Sequence, residues 1–224
     1  MRARTVAVKI CGLTKRADAE MAEASGASYL GVILAGGPRL VSIEQAGQVL
    51  GPRRASVRRV GVFGHQTPTE IARMADVLDL DIIQLHGDLS VAEVSHLQAG
   101  TQREIWPVLR IDGQMLPPDA GTRAEATGAL VLDAQVVGQL GGTGVSLDWP
   151  ALADDVTALR ARVPGLLLVL AGGLRPENVE KAIHLLEPSV VDVSSGVESA
   201  PGVKDPALVQ RFLSAAGHAA GMLR

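Results

Sequence analysis

Two residues able to move protons stand at the ends of apolar runs far apart in the chain. Cys11 follows Val6-Ala7-Val8-Lys9-Ile10, and Asp133 follows Leu130-Val131-Leu132. Cys11 is the single cysteine, so a disulfide within the chain is excluded. A thiol at the carboxyl end of a strand can act as a general base once its thiolate is favoured. Lys9, two residues back, and a helix start at Thr14 are expected to favour it. The other use of a lone cysteine is as a small buried hydrophobe. Asp133 is a candidate proton donor, or a cap for the turn that follows it. Period-two alternation puts Lys9 and Cys11 on one face of their strand, and Val131 and Asp133 on one face of theirs. If both faces point into a closed sheet, thiol and carboxyl converge on one mouth. One group would then remove a proton while the other delivers one.

Further groups gather at other strand ends. Arg39 follows Gly36-Gly37-Pro38, where a rigid turn would let its guanidinium grip a carboxylate bidentately; the alternative is a surface arginine. His86, in Gln84-Leu85-His86-Gly87, is either catalytic or a hydrogen-bonded structural histidine. Three late runs are followed by small residues: Gly141-Gly142-Thr143-Gly144, Gly172-Gly173 and Ser194-Ser195-Gly196. Glycines let backbone N–H groups approach a ligand, so Gly141, Gly142, Gly144, Gly172, Gly173, Ser195 and Gly196 are candidate phosphate-binding residues. No lysine stands as in a P-loop, which argues against a nucleoside triphosphate. The remaining histidines, His65, His96, His184 and His218, are scattered without metal-ligand spacing, so no metal is expected.

These residues need a frame. Candidate strands are Val6–Ile10, Tyr29–Leu34, Val57–Phe63, Ile82–Leu85, Glu104–Leu109, Ala129–Leu132, Leu166–Ala171 and Val190–Val193. Helical patterns lie between them. Ser42 with Gln45, Thr67-Pro68 with Glu70, and Ser90 with Glu93 have capping-box spacing. Thr14 precedes a helix over Lys15–Ala24, and Pro176 and Pro206 suit first helical positions. The crossover Ile111–Thr127 is the poorest, broken by Gly113, Pro117-Pro118 and Gly121. Strict alternation implies a parallel sheet with right-handed crossovers. A doubly wound open sheet would carry its glycine fingerprint after the first strand, where this chain has Cys11-Gly12-Leu13-Thr14. The α/β reading is therefore a (β/α)8 TIM barrel, one domain over residues 1–224, with its site at the carboxyl ends of the strands.

Composition narrows the partners. Aromatic residues make up only 2% of the chain, so the core must be aliphatic and stacking platforms for single-stranded nucleic acid are missing. The net charge is −3 and the densest basic cluster, Arg53-Arg54 with Arg58-Arg59, reads as a solvated loop, so no nucleic-acid partner is expected. No apolar run approaches the roughly 18 residues of a membrane span. With one cysteine and no apparent signal peptide, a cytoplasmic protein is expected.

Read in order, the segments resemble phosphoribosylanthranilate isomerases. The resemblance is carried by Val8-Lys9-Ile10-Cys11-Gly12-Leu13-Thr14, Pro38-Arg39-Leu40-Val41-Ser42, Val60-Gly61-Val62-Phe63, Gln84-Leu85-His86-Gly87 and Leu132-Asp133. It continues through Gly141-Gly142-Thr143-Gly144, Asp148-Trp149, Ala171-Gly172-Gly173-Leu174 and Pro176-Glu177-Asn178-Val179. Asp192-Val193-Ser194-Ser195-Gly196-Val197-Glu198 and Gly202-Val203-Lys204-Asp205 complete it, so that it runs from about residue 6 to 213. It implies a cofactor-free barrel performing an Amadori rearrangement in tryptophan biosynthesis, working as a monomer or homodimer on a small phosphorylated substrate. Asp133 would be the general acid, Cys11 the general base, Arg39 the substrate carboxylate holder and the glycine and serine loops the phosphate site. Gly37 and Gly64-His65 depart from the family, which usually has a serine before Pro-Arg and commonly a valine and an asparagine after Val-Phe.

Other phosphosugar barrels fit less well. A histidine-pathway ketol isomerase would use two carboxylates and a ribulose-phosphate epimerase a metal. A barrel that only binds a phosphorylated metabolite would keep the loops without Cys11 or Asp133.

Overall fold

Runs of valine, leucine and isoleucine form stable strands when both faces are covered, and here the sheet covers one face by closing on itself. The computed structural model describes residues 5–87, 89–112, 114–134 and 147–222. Its strands are β1 (Ala7–Ile10), β2 (Tyr29–Ile33), β3 (Arg58–Phe63), β4 (Ile82–Leu85), β5 (Glu104–Ile111), β6 (Ala129–Ala134), β7 (Leu167–Leu170) and β8 (Val190–Val193). They pair in parallel in chain order, and β8 returns to β1 over Ala7↔Val190 to Ile10↔Val193, closing the barrel. Outside it lie α1 (Arg16–Ala24), α2 (Ile43–Leu50), α3 (Pro68–Val77), α4 (Val91–Thr101), α5 (Ala120–Thr127), α6 (Trp149–Arg162), α7 (Val179–Leu186) and α8 (Pro206–Met222). The (β/α)8 expectation holds. Among the described residues, no helix is long and apolar enough to cross a membrane.

Local signals account for most helix starts. Ser42, Thr67 and Ser90 each complete a reciprocal capping box with the glutamine or glutamate three residues on. Two starts differ from expectation. Thr14 does not open α1: its hydroxyl donates to the Gly202 carbonyl at 2.5 Å, and the helix begins at Arg16. Pro176 lies in a turn ahead of α7, whose first residue is Val179, because Asn178 ties that turn by accepting from the Arg175 amide and donating to the Gly173 carbonyl. The weak fifth crossover yields the short helix α5. After β8 the chain makes a 3-10 turn at Ser195–Val197 and a small antiparallel hairpin, β9 (Glu198–Ala200) with β10 (Val203–Lys204), before α8.

Two apolar layers hold the fold. Between barrel and helices lies a continuous apolar layer that includes Ile10, Leu13, Leu130, Leu132 and Phe212. Inside the barrel, Tyr29, Val60, Ile82, Trp106, Val108, Val131, Val169 and Val190 pack together. The Tyr29 and Trp106 rings meet edge to face with centroids 5.2 Å apart. The basic cluster is mostly ion-paired rather than simply solvated. Arg53 pairs with Asp81 at 2.5 Å, Arg54 with Glu23 at 2.6 Å and Arg58 with Glu104 at 2.8 Å. Arg59 is buried, donating to the Leu78 and Gly51 carbonyls.

Candidate active site

The carboxyl ends of the strands surround a cleft of about 720 Å³, part of it open to solvent. Cys11, Arg39, His86, Asp133, Gly172, Gly173 and Ser195 all line it. Period two places the inward residues: Lys9 faces Tyr29 on one side and Asp192 on the other in the barrel register, and Asp133 stands level with Arg110 of β5. The thiol and the carboxyl thus come from the β1 and β6 walls to one mouth.

Below Cys11, the wholly buried ammonium of Lys9 donates to Asp192 at 2.7 Å. Burial, with the Asp192 carboxylate nearby, overturns the expectation of a favoured thiolate. Burial pushes the Cys11 thiol up from its ordinary value and Asp192 pushes it further, while Lys9 and Lys204 pull it down without prevailing. The first turn of α1 contributes little, since the helix starts five residues beyond the sulfur. Resting Cys11 is a thiol.

Asp133 is shifted in the direction an acid needs. Burial first, and the neighbouring charge of Asp192 second, raise its carboxyl to about 6, against the Ala134 amide and the cations Lys9 and Arg110. His86 is also shifted, in the opposite chemical sense. Burial, with Arg110 and Lys9, pushes its imidazole down to about 3, so it is an uncharged hydrogen-bonding group. Its Nε2 lies 3.3 Å from Gln84 Nε2, and its carbonyl accepts from Arg110.

Arg39 is buried at the rim. Its Nε and Nη2 form a fork on Glu198, at 2.8 Å to Oε1 and 2.7 Å to Oε2, and Lys204 donates to Glu198 Oε1 at 2.7 Å. Despite Gly37, the loop carrying Arg39 is tied down: the Leu40 amide donates to the Gly37 carbonyl and the Val41 amide to Ile33.

The β7 and β8 ends form a backbone-lined corner. Gly172 and Gly173 take φ of 81° and 66°, a left-handed pair that turns the chain sharply beside the cavity. A side chain at Gly172 would press on the Ala134 amide and on Asp133 Oδ1. Ser195 lines the cavity, while Gly196 packs behind it against the Leu174 carbonyl. The amides of Ser195 and Gly196 donate to no group among the described residues. Gly141, Gly142 and Gly144 lie outside the described residues. Among the described residues, no cluster of histidine, cysteine or carboxylate side chains is arranged for a metal ion.

The model of the N-(5'phosphoribosyl)anthranilate (PRA) isomerase family matches residues 8–215. The chain belongs to the phosphoribosylanthranilate isomerase family. It is 40% identical over 216 residues to the N-(5'-phosphoribosyl)anthranilate isomerase of Rubrobacter xylanophilus, covering 93% of this chain and 98% of the relative. The crystal structure of phosphoribosyl anthranilate isomerase from Thermotoga maritima is similar with a TM-score of 0.79 and 30% identity, over 95% of this chain and 98% of that one. A phosphoribosyl anthranilate isomerase in complex with reduced 1-(o-carboxyphenylamino)-1-deoxyribulose 5-phosphate is similar with a TM-score of 0.75 and 30% identity, over the same shares.

Asp192, Glu198 and Lys204 sit in segments that carry the family resemblance, and their types and spacing alone assign them no role. The available signal was their charge: carboxylates and a lysine in a late stretch beside apolar strand residues are candidates for buried pairing.

Proposed function

We propose that the cavity isomerises N-(5'-phosphoribosyl)anthranilate to 1-(2-carboxyphenylamino)-1-deoxyribulose 5-phosphate, an Amadori rearrangement in L-tryptophan biosynthesis. The observation that carries this reading is a thiol from β1 and a carboxyl from β6 on one cavity, in a chain of this family. Asp133 gives its proton to the furanose ring oxygen as the C1′–O bond breaks, and the anilino nitrogen lone pair forms the Schiff base. Cys11 then takes the C2′ proton, and the electrons of that bond form the enolamine. The enolamine gains a proton at C1′ and loses its C2′ hydroxyl proton on becoming the ketone, and the proton on Cys11 returns to Asp133. Arg39 holds the anthranilate carboxylate, and Gly172, Gly173, Ser195 and Gly196, with Gly141, Gly142 and Gly144, hold the phosphate. No step calls on a cofactor or metal.

At neutral pH the resting groups are in the opposite states, Cys11 protonated and Asp133 largely ionised. The incoming carboxylate and phosphate raise Asp133 further, and transfer of one proton from thiol to carboxylate creates the working pair without net proton uptake. The whole chain, residues 1–224, acts as one catalytic domain, in the cytoplasm, as a monomer or homodimer.

Two measurements test the reading. The gene should restore growth to a tryptophan auxotroph lacking this isomerase, and the purified protein should extinguish the fluorescence of phosphoribosylanthranilate. Saturable binding of the substrate without turnover would replace the enzyme by a binding module.

A further inference from the structure

Glu198 and Lys204 take no part in the proposed proton transfers, yet their side chains are only 4% and 0% exposed. Burying charged groups is costly unless they are paired, and here two cations share one carboxylate, so the cluster keeps a surplus positive charge. Lys204 also donates to the Ser194 carbonyl at 3.1 Å, which ties the cluster to the β8 end. The Arg39 stem crosses directly over Gly12, whose φ is 70°; a Cβ there would lie 2.5 Å from Arg39 Cδ. The guanidinium is therefore held at its stem by the β1 end and at its head by Glu198.

A guanidinium offers more N–H donors than one carboxylate can take, in a rigid planar fork. Glu198 occupies the side formed by Nε and Nη2. The end-on edge formed by Nη1 and the second Nη2 hydrogen is left over, and Nη1 makes no hydrogen bond among the described residues. We propose that Glu198 is a positioning residue that sets the plane of Arg39, so that this remaining edge meets a ligand carboxylate bidentately. Lys204 offsets the charge of Glu198, so the cluster still attracts an anion. The inference rests on the reading of Arg39 as the carboxylate-holding residue.

The test uses the whole enzyme and two competitive ligands: the reduced product analogue bearing the 2-carboxyphenyl group, and its phenyl counterpart without the carboxylate. The wild type should favour the carboxylated ligand at least about ten-fold, as expected for a charge-assisted fork. In Glu198→Gln that preference should fall at least about five-fold, while the phenyl ligand binds as before. Glu198→Asp keeps the charge but shortens the reach, and should lose preference in the same direction; it serves if Glu198→Gln does not fold. Equal weakening of both ligands, or an undiminished preference in a folded Glu198 variant, overturns the proposal and leaves Glu198 a merely structural brace. Arg39→Ala separates the two readings. If the preference survives there, the assignment of Arg39 fails; if it is lost there but kept in Glu198→Gln, only the positioning role fails.

Discussion

The two halves of the barrel interior are built on different rules. Below, Tyr29, Val60, Ile82 and Trp106 fill the space with carbon, and nearly every contact is dispersive. Above, Lys9, Asp192, His86, Asp133, Arg39 and Glu198 crowd the same ring of strands with charge and hydrogen-bonding groups. Four buried polar atoms there have no partner among the described residues, Gln84 Oε1, His86 Nδ1, Asp192 Oδ1 and Ser194 Oγ, against Trp106 Nε1 in the lower half. Burying such atoms unpaired costs stability, and the four upper residues all line the cavity, where a ligand can meet them. The lower half secures the ring, and the upper half spends part of that stability on chemistry.

This contrast makes the two halves separable by mutation. The largest effects belong to the upper half. Cys11→Ala and Asp133→Asn should each lower kcat by at least about 100-fold, the usual loss for a proton-transfer partner, with the fold intact by circular dichroism. Either variant turning over near the wild-type rate would refute its role. In the lower half, Trp106→Ala should cost about 3–5 kcal/mol in urea unfolding by opening a cavity under Tyr29, while kcat/KM stays within a few-fold. A Trp106→Ala enzyme as stable as the wild type would show that the interior stack is not what secures the ring.

Asp133 links the halves through pH. Its pKa is raised in the folded state from 3.8 to about 6, so the folded state binds the proton more readily than the unfolded chain. Its contribution to stability is thus full below pH 3.8 and is lost as pH rises through about 6. Asp133→Asn removes that penalty. It should therefore be more stable than the wild type at pH 8, on the order of 3 kcal/mol, with the gap closing as pH falls toward 4. Parallel stability curves for the two proteins across that range would mean that the carboxyl is not strained by burial. The smallest effect is expected at the phosphate corner, where Gly173→Ala must hold an alanine at a φ of 66°. Its KM should rise several-fold with kcat little changed; a fall in kcat alone would argue against a binding role.

Much of this arrangement is legible in one dimension because it is written at short range. The capping boxes at Ser42, Thr67 and Ser90 involve residues three apart, and all three form. The inward turn of Lys9 and Cys11, and of Val131 and Asp133, needs only the two-residue period of a strand. Thr14 and Pro176 misled for the converse reason. Each has the right local chemistry for a helix start, but Thr14 is drawn to Gly202 across 188 residues, and a tied turn occupies Pro176.

The strands, the order in which they alternate with helices, and the thiol and carboxyl at two of their ends follow from residue types and neighbouring contacts. Local periodicity does not say who sits beside whom across the ring. Lys9 and Asp192 are 183 residues apart, and Arg39 and Glu198 are 159 apart, brought together because the last strand closes on the first. That closure supplies Lys9 with a carboxylate, leaves Cys11 a thiol and raises Asp133. Proton affinity depends on burial and on charges a few ångströms away, and only the closed barrel sets those distances.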